Sequence, residues 1–416
     1  MNNGEILDYI AQDTRNKMEE YLMESIDEFL LLWDKGIKTG TITQYVYLLF
    51  GILENNFYIE RTEKIKEIIF NILQSKKEAI YKGKVEELNG ILDGLLLFSY
   101  TLVKYDLLLD IRLINYNKYL VELSEQAISI ALDKVKGREV TFSYYDLITG
   151  CAGFLKYLIN INSRNIKLIF DICEYLSVLS EEKEYKNKKI TGYHIKRENQ
   201  FLEIERKTQL NGHINFGVAH GIVSPIVSLT EVYKKYNKQE LKGIIDKLLS
   251  LYEEVENKCE VISYPMQLKY EDFIKKEYLG REISSWCYGN IGIARALMII
   301  YKNINDDSKY TKYKEELISI VNQPYEKYAL ECTYLCHGLS GVLAIQIQSY
   351  IETKDARFLC TLDRNINKLI SLEEEGFLGV NEYKEDVSLL EGRAGVILTL
   401  LSIFSGKVIF KDMMLI

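Results

Sequence analysis

WCYGNIGIARALMII, residues 286–300, sets two glycines three positions apart and follows them with a strongly apolar run. The pattern recurs along the chain. It reads LCHGLSGVLAIQI at 335–347, SLLEGRAGVILTLLS at 388–402, NFGVAHGIVSPIVSL at 215–229 and YYDLITGCAGFLKYL at 144–158. A weaker copy, NGILDGLLLFSYTL, centres near Gly94, and a degenerate one, GTITQYVYLLFGIL, starts at Gly40. Between copies lie amphipathic stretches such as Asn117 to Lys136, where Leu120, Leu123, Ala127, Ile128 and Ala131 fall at helical spacing. A period of about fifty to seventy residues fits one apolar inner helix plus one amphipathic outer helix per unit. About seven such pairs predict an all-α fold in one domain over 1–416, closed as an α/α toroid, although an open solenoid would show the same periodicity.

The glycines have a physical role in this scheme. Glycine permits positive φ and lets backbones approach closely. If each glycine turn opens an inner helix, the helix N-termini gather at one end, with free N–H groups and positive dipole ends converging there. Composition agrees with a helical chain. Only Pro225, Pro265 and Pro324 occur in 416 residues, and proline is what interrupts helix interiors. At 47% hydrophobic residues there is ample material for a core. A net charge of −8 argues against a nucleic-acid binder. The polar N-terminus has no signal pattern, and the apolar run from Ala394 to Phe404 is too short to span a membrane, so the expected location is cytoplasmic. Seven cysteines at irregular spacing read as reduced thiols or metal ligands, not as a disulfide framework.

One stretch departs from the pattern. Residues 181–215 are polar, charged and poorly periodic, and are expected to form an irregular insertion with short strands, a lid over the toroid mouth. Lys186, Lys188, Lys189, Lys196 and Arg197 cluster in it, either as a solvated loop or as a surface for an acidic peptide.

Histidine and cysteine mark the chemistry. Two of the four histidines, His220 and His337, and two of the seven cysteines, Cys287 and Cys336, sit in the glycine turns. Cys287, Cys336 and His337 make a plausible Cys₂His zinc set that leaves a fourth tetrahedral position open; the alternative is buried cysteine with a capping histidine. Zn²⁺ with two thiolates and a neutral imidazole has no formal charge. A third, substrate thiol bound there would lose its proton yet stay nucleophilic, which favours sulfur addition or alkylation over hydrolysis.

At these residues the chain resembles the LanC family of lanthionine synthetase cyclases. The resemblance rests on GVAHG at Gly217–Gly221, WCYGNIG at Trp286–Gly292, CHGLSG at Cys336–Gly341 and LLEGRAG at Leu389–Gly395, and spans roughly residue 140 to the C-terminus. It implies an α/α toroid with a catalytic zinc, and a substrate that is a ribosomal precursor peptide already dehydrated at serine and threonine. It implies Cys287, Cys336 and His337 as zinc ligands, His220 as the acid/base histidine, and Asp146 and Tyr288 as active-site residues. The family's arginine, four residues before the WCYG cysteine, is Ile283 here, and the nearest is Arg281, six before Cys287. Ser224 stands where a glycine is common after AHG.

The reaction so implied is addition of a peptide cysteine thiol to dehydroalanine or dehydrobutyrine, giving lanthionine or methyllanthionine. His220 would move the proton, Asp146 would orient it, and Tyr288 and Arg281 would stabilise the enolate. Asp146 as a helix cap and Tyr288 as a packed aromatic are the competing readings. His194 and His213 are expected to be structural or exposed, and Cys332, with Cys151, Cys173, Cys259 and Cys360, to be unreactive. With no dehydratase region recognised in the chain, a separate dehydratase is expected to act first. A membrane transporter, and hence peripheral association with the membrane's inner face, comes from the resemblance alone. Two rival readings keep the fold: a zinc thiol alkyltransferase of the prenyltransferase type, and a non-catalytic glutathione-binding protein of the wider group.

Overall fold

The computed structural model describes residues 5–36, 42–82, 88–105, 114–330, 332–375 and 387–416; Gly40, the start of the degenerate repeat, lies outside them. Fourteen longer helices alternate outer and inner along the described chain. They are α1 (Gln12–Lys35), α2 (Ile42–Asn55), α3 (Thr62–Tyr81), α4 (Gly94–Lys104), α5 (Ile114–Val135), α6 (Cys151–Asn160) and α7 (Ile166–Ser180). They continue with α8 (Val223–Tyr236), α9 (Leu241–Val255), α10 (Asn290–Asn303), α11 (Asp307–Val321), α12 (Leu339–Thr353), α13 (Leu362–Glu374) and α14 (Arg393–Ser405).

Burial separates the two sets. In α9 only Leu241, Ile245, Leu248, Leu249, Tyr252 and Val255 are buried, one stripe at helical spacing. In α12 every residue from Leu339 to Tyr350 is buried, and in α14 every residue from Arg393 to Ile403. A helix apolar all round must be covered all round, so the even-numbered helices form the inner ring and the odd-numbered ones the outer. The ring closes: α2, α4, α6, α8, α10, α12 and α14 pack in succession, and α14 packs back on α2. The open solenoid is thereby excluded. Buried hydroxyls in the inner helices bond to carbonyls one turn back, as Thr399 does to Gly395 at 2.8 Å and Ser402 to Leu398 at 2.7 Å. Buried cations bridge neighbouring helices. Arg295 of α10 reaches Glu352 of α12 at 2.7 Å, and Arg393 of α14 reaches Glu28 of α1 at 2.6 Å.

The last residues, Val408 to Ile416, are largely buried against the inner helices. The hydroxyl of Tyr47 and the indole N–H of Trp286 donate to the carbonyls of Ile409 and Met414, at 3.1 and 2.8 Å. No helix among the described residues is long and apolar enough to cross a membrane.

The irregular stretch 181–215 joins α7 to α8. It contains a hairpin of β1 (Glu182–Tyr185) and β2 (Lys188–Thr191), a short helix Glu203–Thr208 and strand β3 (His213–Asn215). A second excursion, between α9 and α10, was not read from the sequence. It carries β4 (Asn257–Lys258) paired with β5 (Ile262–Ser263), and β6 (Gln267–Lys269), which pairs antiparallel with β3. Its signals were Pro265 and the lapse of helical periodicity after Val255. His194 and His213 are buried between these excursions: His194 Nε2 meets the Asn211 carbonyl at 2.8 Å, and His213 Nδ1 accepts from Gln200 at 3.1 Å.

Candidate metal centre

Each inner helix from α6 onward starts at a glycine turn, and close approach is what requires the glycine. A Cβ on Gly292 would lie 2.0 Å from the Trp286 carbonyl oxygen, on Gly341 2.5 Å from that of Leu335, and on Gly395 2.2 Å from that of Leu389. In each case the blocked atom is six residues earlier, so the turn folds flat onto the first turn of its own helix. The other expectation, positive φ, is not realised here: Gly289, Gly338 and Gly392 cap their helices at φ −91°, −128° and −127°.

The flattened turns are then hydrogen-bonded to one another around the mouth. Cys336 N–H donates to the Leu390 carbonyl at 2.9 Å, and Cys287 N–H to the Cys336 carbonyl at 3.1 Å. Val218 N–H donates to the Cys287 carbonyl at 2.7 Å, Leu147 N–H to that of Ala219 at 3.2 Å, and Ile91 N–H to that of Ile148 at 3.0 Å. Residues far apart in sequence are thus fixed by main-chain contacts and not by side-chain packing alone.

Cys287, Cys336 and His337 come together here, with one ligand atom from each lying within 4.8 Å of the others. Zinc–sulfur bonds of about 2.3 Å and zinc–nitrogen bonds of about 2.0 Å separate tetrahedral ligands by roughly 3.5–3.8 Å, so the set fits such an ion after small adjustments. Both thiols are buried. A hydrogen bond from the Cys336 thiol holds the Cys287 thiol well below its ordinary value against the effect of burial, and Cys336 is pushed up in turn. Hydrogen bonding to the Cys287 and Cys332 sulfurs pushes His337 up to about 10. Negative charge gathers on sulfur at a buried point, the environment a divalent cation relieves.

Beside the cluster, His220 Nδ1 lies 2.6 Å from Asp146 Oδ2. The Asp146 side chain is wholly buried, whereas 30% of the His220 side chain is exposed. A carboxylate accepts, so the ring nitrogen facing it carries the proton and Nε2 is left for other partners. The other oxygen of Asp146 accepts from the Thr149 N–H at 2.8 Å, bracing the turn before α6; Asp146 does not cap the helix, whose N-cap is Gly150 with no side-chain bond. Tyr288 accepts from Asn215 Nδ2 at 3.2 Å, its ring centroid is 6.2 Å from that of His220, and burial raises its phenol. Arg281 lies at the exposed edge: its backbone N–H donates to the Tyr264 carbonyl at 3.0 Å and its guanidinium to the Met266 sulfur at 3.5 Å. Ser224 sits buried in the first turn of α8, its hydroxyl donating to the Val218 carbonyl, so the departure from glycine adds a bond to the AHG turn.

Two neighbours escaped the sequence reading, and a third, Cys332, was read as core. Phe142 places its ring 4.6 Å from that of His220 and 5.5 Å from that of the exposed Phe201, inside the 181–215 stretch. Asn215 holds Tyr288. Cys332, expected to be plain core, is buried but sets its thiol against His337. Only Cys332 gave a signal, its spacing of four from Cys336; Phe142 and Asn215 are placed by tertiary structure.

The described fold superimposes on a solved structure described as nisin cyclase with a TM-score of 0.79, over 95% of this chain and 98% of that one at 21% identity. Among curated proteins, the nisin biosynthesis protein NisC of Lactococcus lactis subsp. lactis is 30% identical over 301 residues, 69% of this chain and 68% of that protein. The model of the family described as lanthionine synthetase C-like protein matches residues 103–415, so the glycine turns, the ring they close and the thiol–imidazole cluster they carry belong to a member of the lanthionine synthetase C-like family.

Proposed function

We propose that the chain is a zinc-dependent lanthipeptide cyclase, joining peptide cysteine thiols to dehydroalanine and dehydrobutyrine as (methyl)lanthionine rings. The observation that carries this reading is the meeting of Cys287, Cys336 and His337 next to the His220–Asp146 pair. These three residues would hold the ion, which when bound supplies a position where a peptide thiol is kept as thiolate.

The chain's own residues do the rest. Asp146 fixes the His220 ring by accepting its Nδ1 proton, leaving Nε2 to deliver or remove a proton at the α-carbon of the former dehydro residue. Tyr288, kept protonated by burial, can donate to the amide oxygen as charge develops on it. Arg281 joins them only if its guanidinium leaves Met266. The 181–215 stretch, in touch with the site through Phe201 and Phe142, acts as the lid and meets the peptide. A cytoplasmic location, a dehydratase acting beforehand and a transporter partner complete the proposal, as the resemblance to the LanC family implies.

The test is incubation with a dehydrated precursor peptide, followed by thiol alkylation and mass spectrometry. Cyclisation leaves the peptide's mass unchanged and removes alkylatable thiols. A full count of alkylated thiols after incubation with metal-loaded protein sinks the proposal. Prenyl transfer would instead add mass from an isoprenoid diphosphate.

A further inference from the structure

The side-chain amide of Asn215 makes two hydrogen bonds, and one of them settles the direction of the other. Asn215 ends β3, where pairing with β6 sets it opposite Gln267, and its backbone carbonyl accepts from the Ile222 N–H at 3.0 Å. The residue is buried, with 1% of its surface exposed. The Gly217 N–H, 3.0 Å from the side chain, can only donate, so the amide oxygen faces it. The NH₂ group is thereby turned to the Tyr288 hydroxyl at 3.2 Å and donates to it. With its oxygen engaged as an acceptor, the phenol keeps its own proton to give, and no group among the described residues accepts that proton. The ring has little room to move, because a Cβ on Gly217 would lie 2.5 Å from Tyr288 Cδ1. One short segment, Asn215 to Gly217, therefore fixes both the ring and the direction of its hydroxyl. The half-buried ring stands beside His220, 6.2 Å between centroids.

We propose that Asn215 is a positioning residue for ring formation: it sets the polarity of the Tyr288 phenol so that the phenol donates a hydrogen bond to the amide oxygen of the dehydro residue. This deepens the cyclase reading above and rests on it. No proton is transferred at Tyr288. The hydrogen bond strengthens as negative charge develops on the amide oxygen, and the α-carbon proton still comes by way of His220. A carboxylate at position 215 would reverse the arrangement. One of its oxygens would accept from the Gly217 N–H as before, while the other would accept from the phenol and draw its proton away from the substrate. Asparagine and aspartate have nearly the same shape, so the contrast between them is one of polarity and not of packing.

The test is a double-mutant cycle on ring formation, followed by thiol alkylation and mass spectrometry, with zinc content and circular dichroism measured on each protein. Asn215→Asp and Tyr288→Phe should both keep zinc and fold. Each should lower kcat by about 10²-fold, the usual cost of one lost donor to a developing oxyanion. KM should stay unchanged, since the bond lost is one that matters in the transition state. The double variant should be no slower than either single, because both changes remove the same hydrogen bond. Asn215→Ser, which removes the amide donor without burying a charge, should lose rate likewise and covers the case in which aspartate impairs folding. Wild-type kcat in the aspartate and serine variants overturns the role of Asn215. So does a double variant slowed by the product of the single effects, the mark of two independent contributions. Wild-type kcat in Tyr288→Phe overturns the proposal and leaves the cyclase reading standing. Failure of the wild type to form rings overturns the cyclase reading itself, so the two failures are told apart.

Discussion

The main-chain N–H of Cys287 donates to the carbonyl of Cys336 at 3.1 Å, so the two cysteines proposed to hold the metal are tied to each other before any ion is considered. The same two turns are locked to their helices by Gly292 and Gly341. Ligand geometry is therefore set by backbone, and side-chain truncation should remove a donor without moving its neighbours. Cys287→Ala and Cys336→Ala should each fold, measured by circular dichroism, and each lose zinc after dialysis. The loss should exceed the about 10–100-fold that removal of an outer partner costs. Normal zinc content in purified Cys336→Ala protein would strike that residue from the ligand set.

His220 and the ligands are neighbours without sharing a donor, so their functions should separate. His220→Ala is expected to keep full metal content and to slow ring formation by about 10²–10⁴, the usual range for a positioned acid or base. A variant that forms rings at the wild-type rate removes His220 from the mechanism.

Asp146 has two jobs, and two substitutions distinguish them. Asp146→Asn keeps an oxygen for the Thr149 N–H but cannot accept from His220 as a carboxylate does. It should melt near the wild-type temperature and still lose ring formation. Asp146→Ala loses the turn bond as well and should be less stable by about 1 kcal/mol in denaturant unfolding, the usual net worth of one hydrogen bond. Equal activity of the asparagine variant and wild type would leave Asp146 with the turn-bracing job alone.

How much of this was legible beforehand follows from where the information resides. The alternation of apolar and amphipathic helices was readable because each face answers to local periodicity, and seven inner helices among the described residues match the expected number. The cluster was readable because Cys287 and Cys336 occupy equivalent places, two residues before a turn glycine, and His337 follows Cys336 directly. Closure was legible through the family resemblance and not through periodicity, since the packing of α14 on α2 joins residues more than three hundred positions apart and leaves no periodic trace. The pairing of His213–Asn215 with Gln267–Lys269, two short strands from separate excursions, leaves no periodic trace either. Arg281 shows the converse: its type and distance from Cys287 attracted attention, while Met266 and the Tyr264 bridge decide where it lies.

The glycine turns make a sharp stability prediction. An alanine at Gly292 would need 2.0 Å of separation from the Trp286 carbonyl oxygen to become a normal contact, and the obstacle is backbone. Gly292→Ala should therefore cost about 3 kcal/mol or more, at the upper end of overpacking effects. Gly243, in the outer helix α9, has nothing within 4 Å of the added carbon. Gly243→Ala should stabilise by about 0.5–1 kcal/mol through helix propensity. Urea unfolding of the pair checks this, and equal midpoints would refute the close-approach account.

Acid should loosen the excursions before it unfolds the ring. Burial pushes His213 down to about 4 and lowers His194 as well. A histidine whose folded pKa lies below its unfolded value of about 6.5 is neutral in the fold and takes up a proton on release. Its contribution is fully present above pH 6.5 and is lost as pH falls from there toward 4. Both rings anchor the same layer, through Asn211 and Gln200, so amide exchange in 194–215 and 267–269 should accelerate over that window while α12 and α14 stay protected. His213→Gln, which cannot take up the proton, should flatten the response. Uniform exchange across the chain over the same range would mean that the excursions and the ring open as one unit.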